Sequence, residues 1–326
     1  MRRLSLRVVD ALVLLWLVTT LTFALVHLAP GDPATLLIAP TATADEAAQL
    51  RARLGLDAPL PVQYGRWIGA LLQGDLGTSL VRSMPVARVI REALPISLFL
   101  GGVSLVLSFL GGIALGWWQA LRARTAGDRV GSVIATALFA APGFWLALAL
   151  VALFTSGAVW LGLPAWMRLP AFGMQSPDAA GDPTWADRWR HAILPLLVLT
   201  VPGVAGVARY ARETLRDARD TPAVQAAHAR GLSRSRVDRR YILRTALTPL
   251  VVLFGLTLPG IVAGSVFVEQ VFAWPGLGRA LLSAIAGRDY PVVMGLTLVY
   301  GAAVIGANLL ADLALWWLDP RRRTAA

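Results

Sequence analysis

The chain has 326 residues, 56% hydrophobic and only 15% charged, with a mean hydropathy of +0.63 and a formal charge of +11. A soluble domain carries roughly 25% charged residues, so this composition excludes an ordinary cytosolic domain and points to lipid. Every one of the 30 basic residues is an arginine, and cysteine is absent. A P-loop lysine, a Schiff base, a thiol nucleophile, a disulfide framework and a thiolate metal site are therefore all excluded. The arginines lie between long apolar runs, which is the pattern of membrane topology and not the basic face of a nucleic-acid-binding domain.

Six stretches without a formal charge, 11–29, 93–121, 130–167, 192–208, 245–268 and 290–311, approach or exceed the ~20 residues that cross a bilayer core. The third is too long for one helix, and Gly157 and Pro164 place its exit near Thr155. The predicted spans are 8–29, 94–121, 130–155, 191–216, 245–268 and 290–317. The expectation is an all-α integral membrane protein of six transmembrane helices, with 1–326 forming a single domain. Arg2 and Arg3 precede an apolar run longer than a secretory h-region, so the first span is expected to remain uncleaved.

Arginine placement orients the spans. Segments 1–10, 122–129, 209–244 and 319–326 hold 19 arginines in 62 residues, whereas 30–92, 156–191 and 269–289 hold 11 in 120, balanced by 11 acids. Cytoplasmic loops retain excess Lys/Arg, which puts both termini inside.

Between the spans, the outer loop 30–92 carries two predicted short helices. One opens at Thr43-Ala44-Asp45-Glu46 and closes at Gly55; the other runs from Pro61 to Leu72 with Tyr64 and Trp67. Both read as lateral caps on the outer ends of the spans. Residues 162–190, rich in Pro and Gly, read as an irregular outer loop.

The inner loop 209–244 is the most informative stretch. Arg209 to Asp220 continues span four; Thr221 is placed to cap a new helix and Pro222 to open it. That helix, Pro222 to Arg230, is roughly 13 Å long at ~1.5 Å per residue. Gly231 is expected to end it at positive φ, and Ser233 to start the return into span five. Ala223, Ala226, Ala227 and Ala229 keep it slim, and it lacks the bulky apolar anchors of a lipid-bound helix. Docking to a protein partner fits these residue types better.

Polar groups in or near spans are candidates for function. Asp10 and Asp312 are expected to snorkel or pair with arginine, Asn308 to bond between helices, and Glu269 to lie at the outer mouth. His27 and His191 fall outside and His228 inside, so they do not form a three-histidine metal site. Gly101, Gly102, Gly111, Gly112 and Gly116 on span two face either a helix neighbour or a path.

Gln225-Ala226-Ala227-x-x-x-Gly231 resembles the EAA signature of binding-protein-dependent ABC importer permeases, with Gln225 in the glutamate position. The whole chain resembles the first permease subunit of the oligopeptide/dipeptide/nickel branch. Matching blocks run through Leu28-Ala29-Pro30-Gly31-Asp32-Pro33, Gln63-Tyr64 with Trp67, Gly74-Asp75-Leu76-Gly77-x-Ser79, and Ala229-Arg230-Gly231-Leu232-Ser233. They continue through Glu269, Val271 to Gly278 and Arg288-Asp289-Tyr290-Pro291, and close on Asn308, Asp312 and Asp319-Pro320-Arg321. Departures include Ala223 where the branch usually has tyrosine and His228 where a basic residue is common.

The resemblance implies a type I ABC importer fold in the bacterial inner membrane and a non-catalytic subunit that binds no cofactor itself. ATP and Mg would be bound by two partner ATPase subunits. A second, similar permease would complete the pore, and an extracytoplasmic substrate-binding protein would deliver substrate. It also implies that Gln225, Ala226, Ala227, His228, Ala229, Arg230 and Gly231 couple to the ATPase. Di- or oligopeptides are the implied substrate, with nickel complexes, glutathione or other small solutes as the alternative. A self-sufficient secondary transporter would be expected to show midplane ionisable residues and repeated halves, and the sequence shows neither.

Overall fold

The computed structural model describes residues 2–28, 43–53, 55–176, 184–263 and 265–318. The resemblance blocks at 29–33 and 319–321 lie outside them. Among the described residues the chain is helical with no strand; one isolated bridge joins Thr78 to Pro85. Only helices and closed barrels satisfy their own backbone polar groups in hydrocarbon, and these apolar runs take the helical solution. Among the described residues six helical segments are long and apolar enough to cross a membrane: Val9–Leu28, Val86–Leu121, Gly143–Trp160, Trp185–Arg219, Arg234–Thr257 and Tyr290–Leu313.

The chain divides into two compact units. The first, residues 1–96 and 275–305, contains α1 (Arg2–Leu28), α2 (Ala44–Arg53), α3 (Leu60–Leu72) and the start of α4 (Val86–Leu121). It packs α3 onto α1 through aromatic side chains. Tyr64 shares a hydrogen bond of 2.7 Å with Thr20 and meets the edge of Phe23, and Trp67 stacks on the same phenyl ring. Leu12, Leu14, Trp16 and Leu25 on α1 are exposed, as a lipid-facing helix requires. Elsewhere in this unit Asp289, 3% exposed, accepts from the Ser79 hydroxyl and from the backbone N–H groups of Leu80 (3.0 Å) and Val81 (3.3 Å). Gly77 supplies the positive φ of +83° that brings this loop round. Two blocks more than 200 residues apart in sequence are thereby one structural device.

The second unit, 97–274 and 306–326, is built on α4 and the 35-residue α8 (Trp185–Arg219). A Cβ on Gly112 would lie 2.5 Å from Val207, and one on Gly116 would lie 2.7 Å from both the Ala208 carbonyl and the Ala211 methyl. These glycines therefore face a helix neighbour. Gly101 meets the Ile261 backbone, and Gly102 has open space. Small residues at such a seam let two backbones approach and gain dispersion contacts, the main attraction between helices in lipid.

Two expectations need correction here. The expected span 130–155 is not one continuous helix. The run 130–167 divides into α5 (Ala126–Ala140), α6 (Gly143–Phe154) and α7 (Ser156–Trp160). Pro142 forces Ala141 into extended backbone, φ −65° and ψ 128°, which ends α5. Span five also differs from 245–268. It enters helix at Arg234, passes through a π turn over Asp238–Ile242, and ends its regular part at Thr257. Pro259 follows, and the chain resumes as short helices Gly260–Ala263 and Val266–Val271. Glu269, expected at the outer mouth, is fully buried and accepts hydrogen bonds from Ser97 and Ser265, each 2.6 Å.

One ion pair clamps this unit. Asp128, 2% exposed, follows the N-cap Thr125 at the start of α5 and accepts Nε and Nη2 of Arg212 on α8 at 2.7 and 2.9 Å. The Arg212 guanidinium foremost, helped by the Arg124 backbone N–H, lowers the Asp128 carboxyl from 3.8 to about 2 despite its burial. Because the folded value is depressed, the stabilisation is full above the ordinary carboxyl range and is lost as pH falls through roughly 4 to 2. Asp128→Asn should lower stability by about 2–3 kcal/mol, since it strands the partly buried arginine. Thermal unfolding in detergent across that pH range should show the variant's acid sensitivity flattened relative to the native chain.

Candidate functional site

Two features of the second unit carry the candidate chemistry: a short helix seated on the ends of longer ones, and a cavity lined by the longer helices. The helix is α9 (Pro222–Ala229), one residue shorter than expected, with Arg230 as its C-cap. Pro222 opens it at no hydrogen-bonding cost. Thr221 occupies the N-cap position, but its hydroxyl donates to the Ala218 carbonyl (2.8 Å) and makes no cap bond. Ser233 likewise precedes the next helix without a side-chain cap.

The far end is fully built. Gly231 has φ +75°, its N–H donates to the His228 carbonyl (2.9 Å), and the Leu232 N–H donates to the Ala227 carbonyl (3.3 Å). That pair of bonds is a Schellman motif, in which a residue at positive φ turns the chain off the helix. Leu232 completes it by packing on the cluster that contains Ala227.

The cluster explains why α9 is held. Val224 and Ala227 are buried against Ala211, Leu215 and Ala218 of α8, Ala120 at the end of α4, and Val237, Ile242, Ala246 and Leu250 of the segment that follows. Arg219 also donates to the Ala120 carbonyl (2.8 Å), tying the ends of α8 and α4 together.

The seven expected coupling residues separate accordingly. Gln225, Ala226, His228, Ala229, Arg230 and Gly231 are exposed, whereas Ala227 is completely buried and belongs to the seat. Gln225 donates to the Asp220 carbonyl (3.3 Å) and Arg230 to the Ala226 carbonyl (3.3 Å), which folds both side chains along the helix. The outward face is therefore low and nearly featureless, a shape that accepts a groove.

The cavity, about 1010 Å³, lies among α4, α5, α8 and the segment 253–265. Seven hydroxyl side chains line it: Ser104, Ser108, Ser132, Thr136, Tyr210, Thr257 and Ser265. Phe109 and Phe139 supply apolar wall, and the charged lining groups are Arg209, Arg212 and Glu213 on adjoining turns of α8. Neither this cavity nor the Asp128–Arg212 clamp is among the sequence expectations. The clamp does leave a local trace, Thr125-Ala126-Gly127-Asp128, the spacing of a capped helix start.

The remaining candidates have structural surroundings. His191 is buried, and its Nδ1 contacts the Gly173 carbonyl (3.0 Å). With Asp187, which binds Ser176, it holds the loop before 176. His27 stacks on Phe23, His228 is exposed, and Asn308 is exposed instead of bonding between helices. Among the described residues no three His, Cys, Asp or Glu side chains are grouped to hold a metal ion.

A side chain at Gly231 would meet nothing within 4 Å, so any cost of substitution is backbone strain alone. Gly231→Val should therefore destabilise by about 1–2 kcal/mol, and Gly231→Asn by much less, because asparagine tolerates the left-handed region. Limited trypsin digestion after the exposed Arg230 should be faster in the valine variant than in the asparagine variant.

Residues 112–324 match the family described as binding-protein-dependent transport system inner membrane component, and residues 1–101 match its N-terminal counterpart. A Brucella ovis protein named as a peptide permease is 38% identical over 318 residues, 97% of each chain. The oligopeptide transport system permease protein AppB of Bacillus subtilis is 34% identical over 93% of each chain. The glutathione transport system permease protein GsiC of Salmonella typhimurium is 35% identical, over 95% of this chain and 94% of its own. Among solved structures, an amino acid ABC transporter with histidines covers 70% of this chain and 94% of its own at a TM-score of 0.53; at 15% identity it shows the fold alone. A match over nearly the whole length, on a chain whose described residues include six helices long and apolar enough to cross a membrane, makes this protein a member of the binding-protein-dependent transport system inner membrane component family, a multi-pass permease of an ABC importer.

Proposed function

We propose that this chain is one of two similar permeases in an ATP-driven importer of di- or oligopeptides, with both termini in the cytoplasm. The observation that carries the coupling role is the seating of α9. Its buried face is packed into the ends of α4, α8 and α10 (Leu243–Thr257), and its exposed face is free for a partner.

A short helix opened by Pro222, closed by the turn at Gly231 and seated in this way moves as a rigid body with the spans it joins. When two ATPase subunits close on ATP, a helix docked in each is drawn inward, and its spans follow. Hydrolysis and reopening return them. That is rigid-body alternating access, with energy supplied outside this chain. Gln225, Ala226, His228, Ala229, Arg230 and Gly231 form the docking face in this reading, with Ala227 holding the helix to its own spans.

The cavity fits as this subunit's share of the translocation path. It is mostly neutral and rich in hydroxyls, which suits a polar solute that must pass without being trapped. A peptide substrate is supported by the names of the Brucella and Bacillus relatives. Glutathione, itself a short peptide, is the second reading, supported by the similarity to GsiC.

Purification of the tagged chain from its native membrane should bring down ATPase subunits and a second permease. Reconstituted uptake should require ATP and the extracytoplasmic receptor. Gly231→Val should sharply reduce both uptake and substrate-stimulated ATP hydrolysis, with Gly231→Asn retaining most of each. Unchanged coupling in the valine variant, or ion-driven transport by the lone subunit, would overturn the proposal.

A further inference from the structure

The cavity has a polarity along α8 that the permease assignment does not explain. Its charged groups are confined to one stretch, and two of the three are already engaged. Arg212 is clamped to Asp128, and Glu213 lies 3.9 Å from both Arg212 and Arg216. Arg209 differs. Its guanidinium sits 5.3 Å above the Phe139 ring, and among the described residues no carboxylate pairs with it. Phe139 holds the cation over the cavity while leaving its N–H donors unspent, because a cation–π contact uses the charge and not the hydrogen-bonding edge.

Four of the seven hydroxyls around it are also biased. Ser104 donates to the Gly101 carbonyl, Ser108 to the Thr200 carbonyl, Thr257 to carbonyls of its own helix and Ser265 to Glu269. Each has thus committed its proton and has only lone pairs left to offer a ligand. Those four positions accept hydrogen bonds, and Arg209, with no carboxylate partner among the described residues, donates them.

A ligand complementary to that pattern offers N–H groups along its length and a negative charge at one end. A cavity of about 1010 Å³ is at the upper end of the ~300–1,000 Å³ range for small-molecule sites, which admits a short peptide and not a folded chain. We propose that Arg209 binds the free α-carboxylate of a short peptide, with the hydroxyl wall accepting its amide N–H groups. This makes Arg209 a specificity-determining residue of the path; the inference rests on the peptide reading above and deepens it.

The test uses the complete transporter, purified without its receptor so that the receptor's own preference is not read. Equilibrium binding of trialanine is compared with that of trialanine amide, which lacks the carboxylate. The native transporter should bind the free acid roughly ten- to a hundred-fold more tightly, the scale of a hydrogen bond to a charged group. Arg209→Gln should bring the two ligands to within about twofold, and Arg209→Lys should keep most of the preference. No preference in the native transporter, or a preference undiminished in Arg209→Gln, overturns the assignment. Loss of trialanine and its amide in equal measure in Arg209→Gln also overturns it, as that would mark a lipid-phosphate contact or a structural role. Receptor-dependent uptake of trialanine by the native transporter separates the two levels: uptake with no Arg209 effect leaves the peptide reading standing, whereas neither uptake nor binding removes both.

Discussion

The close seam between α4 and α8 sets where everything else in the second unit lies. In hydrocarbon there is little to gain from hiding one apolar side chain behind another, so helices associate by packing and by polar contacts. Gly112 and Gly116 leave no side chain between the two backbones, and Val207, Ala208 and Ala211 fill the space up to contact distance. With that distance set, the Asp128–Arg212 pair closes across the end of α5, Arg219 reaches the Ala120 carbonyl, and a shallow seat for α9 is left between helix ends. A bulky residue at either glycine would push the helices apart and loosen all three.

The proposed coupling role rests on a division between held and free surfaces. The buried face of α9 is only Val224 and Ala227, yet two defined ends and a Schellman turn hold it firmly. The exposed face is small and almost uncharged apart from Arg230, so a partner can approach without desolvating much. Interior polar groups are managed differently. Glu269 and Asp128 are each buried and each answered by named donors, which keeps their cost bearable at or near membrane depth.

The resemblance blocks acquire physical meaning once they are placed. Gly74–Ser79 and Arg288–Pro291 are a single device, because the Asp289 carboxylate caps the backbone of the loop that Gly77 turns. The block starting at Glu269 is likewise explained by its hydroxyl donors, one of which, Ser97, lies 172 residues away. Neither partnership could be inferred from the spacing within a block.

The amino-acid order alone determined the helical class, the six crossings and the stop at Gly231, because each rests on a local rule: charge-free length for a crossing, and tolerance of positive φ for a stop. Pro222 was legible for the same reason. Local rules failed at Thr221, whose hydroxyl found a nearer carbonyl at Ala218, and within the long apolar runs. There, breaks at Ala141–Pro142 and after Thr257 were hidden by a count that registers charge and not backbone geometry. Only the tertiary structure decided that Ala227 turns inward while Ala226 faces out, that Glu269 is enclosed, and that Arg212 is spent on Asp128 while Arg209 is not. Those outcomes depend on which distant surface each side chain meets, and in a chain so uniformly apolar the sequence pattern gives almost no information about which faces will meet.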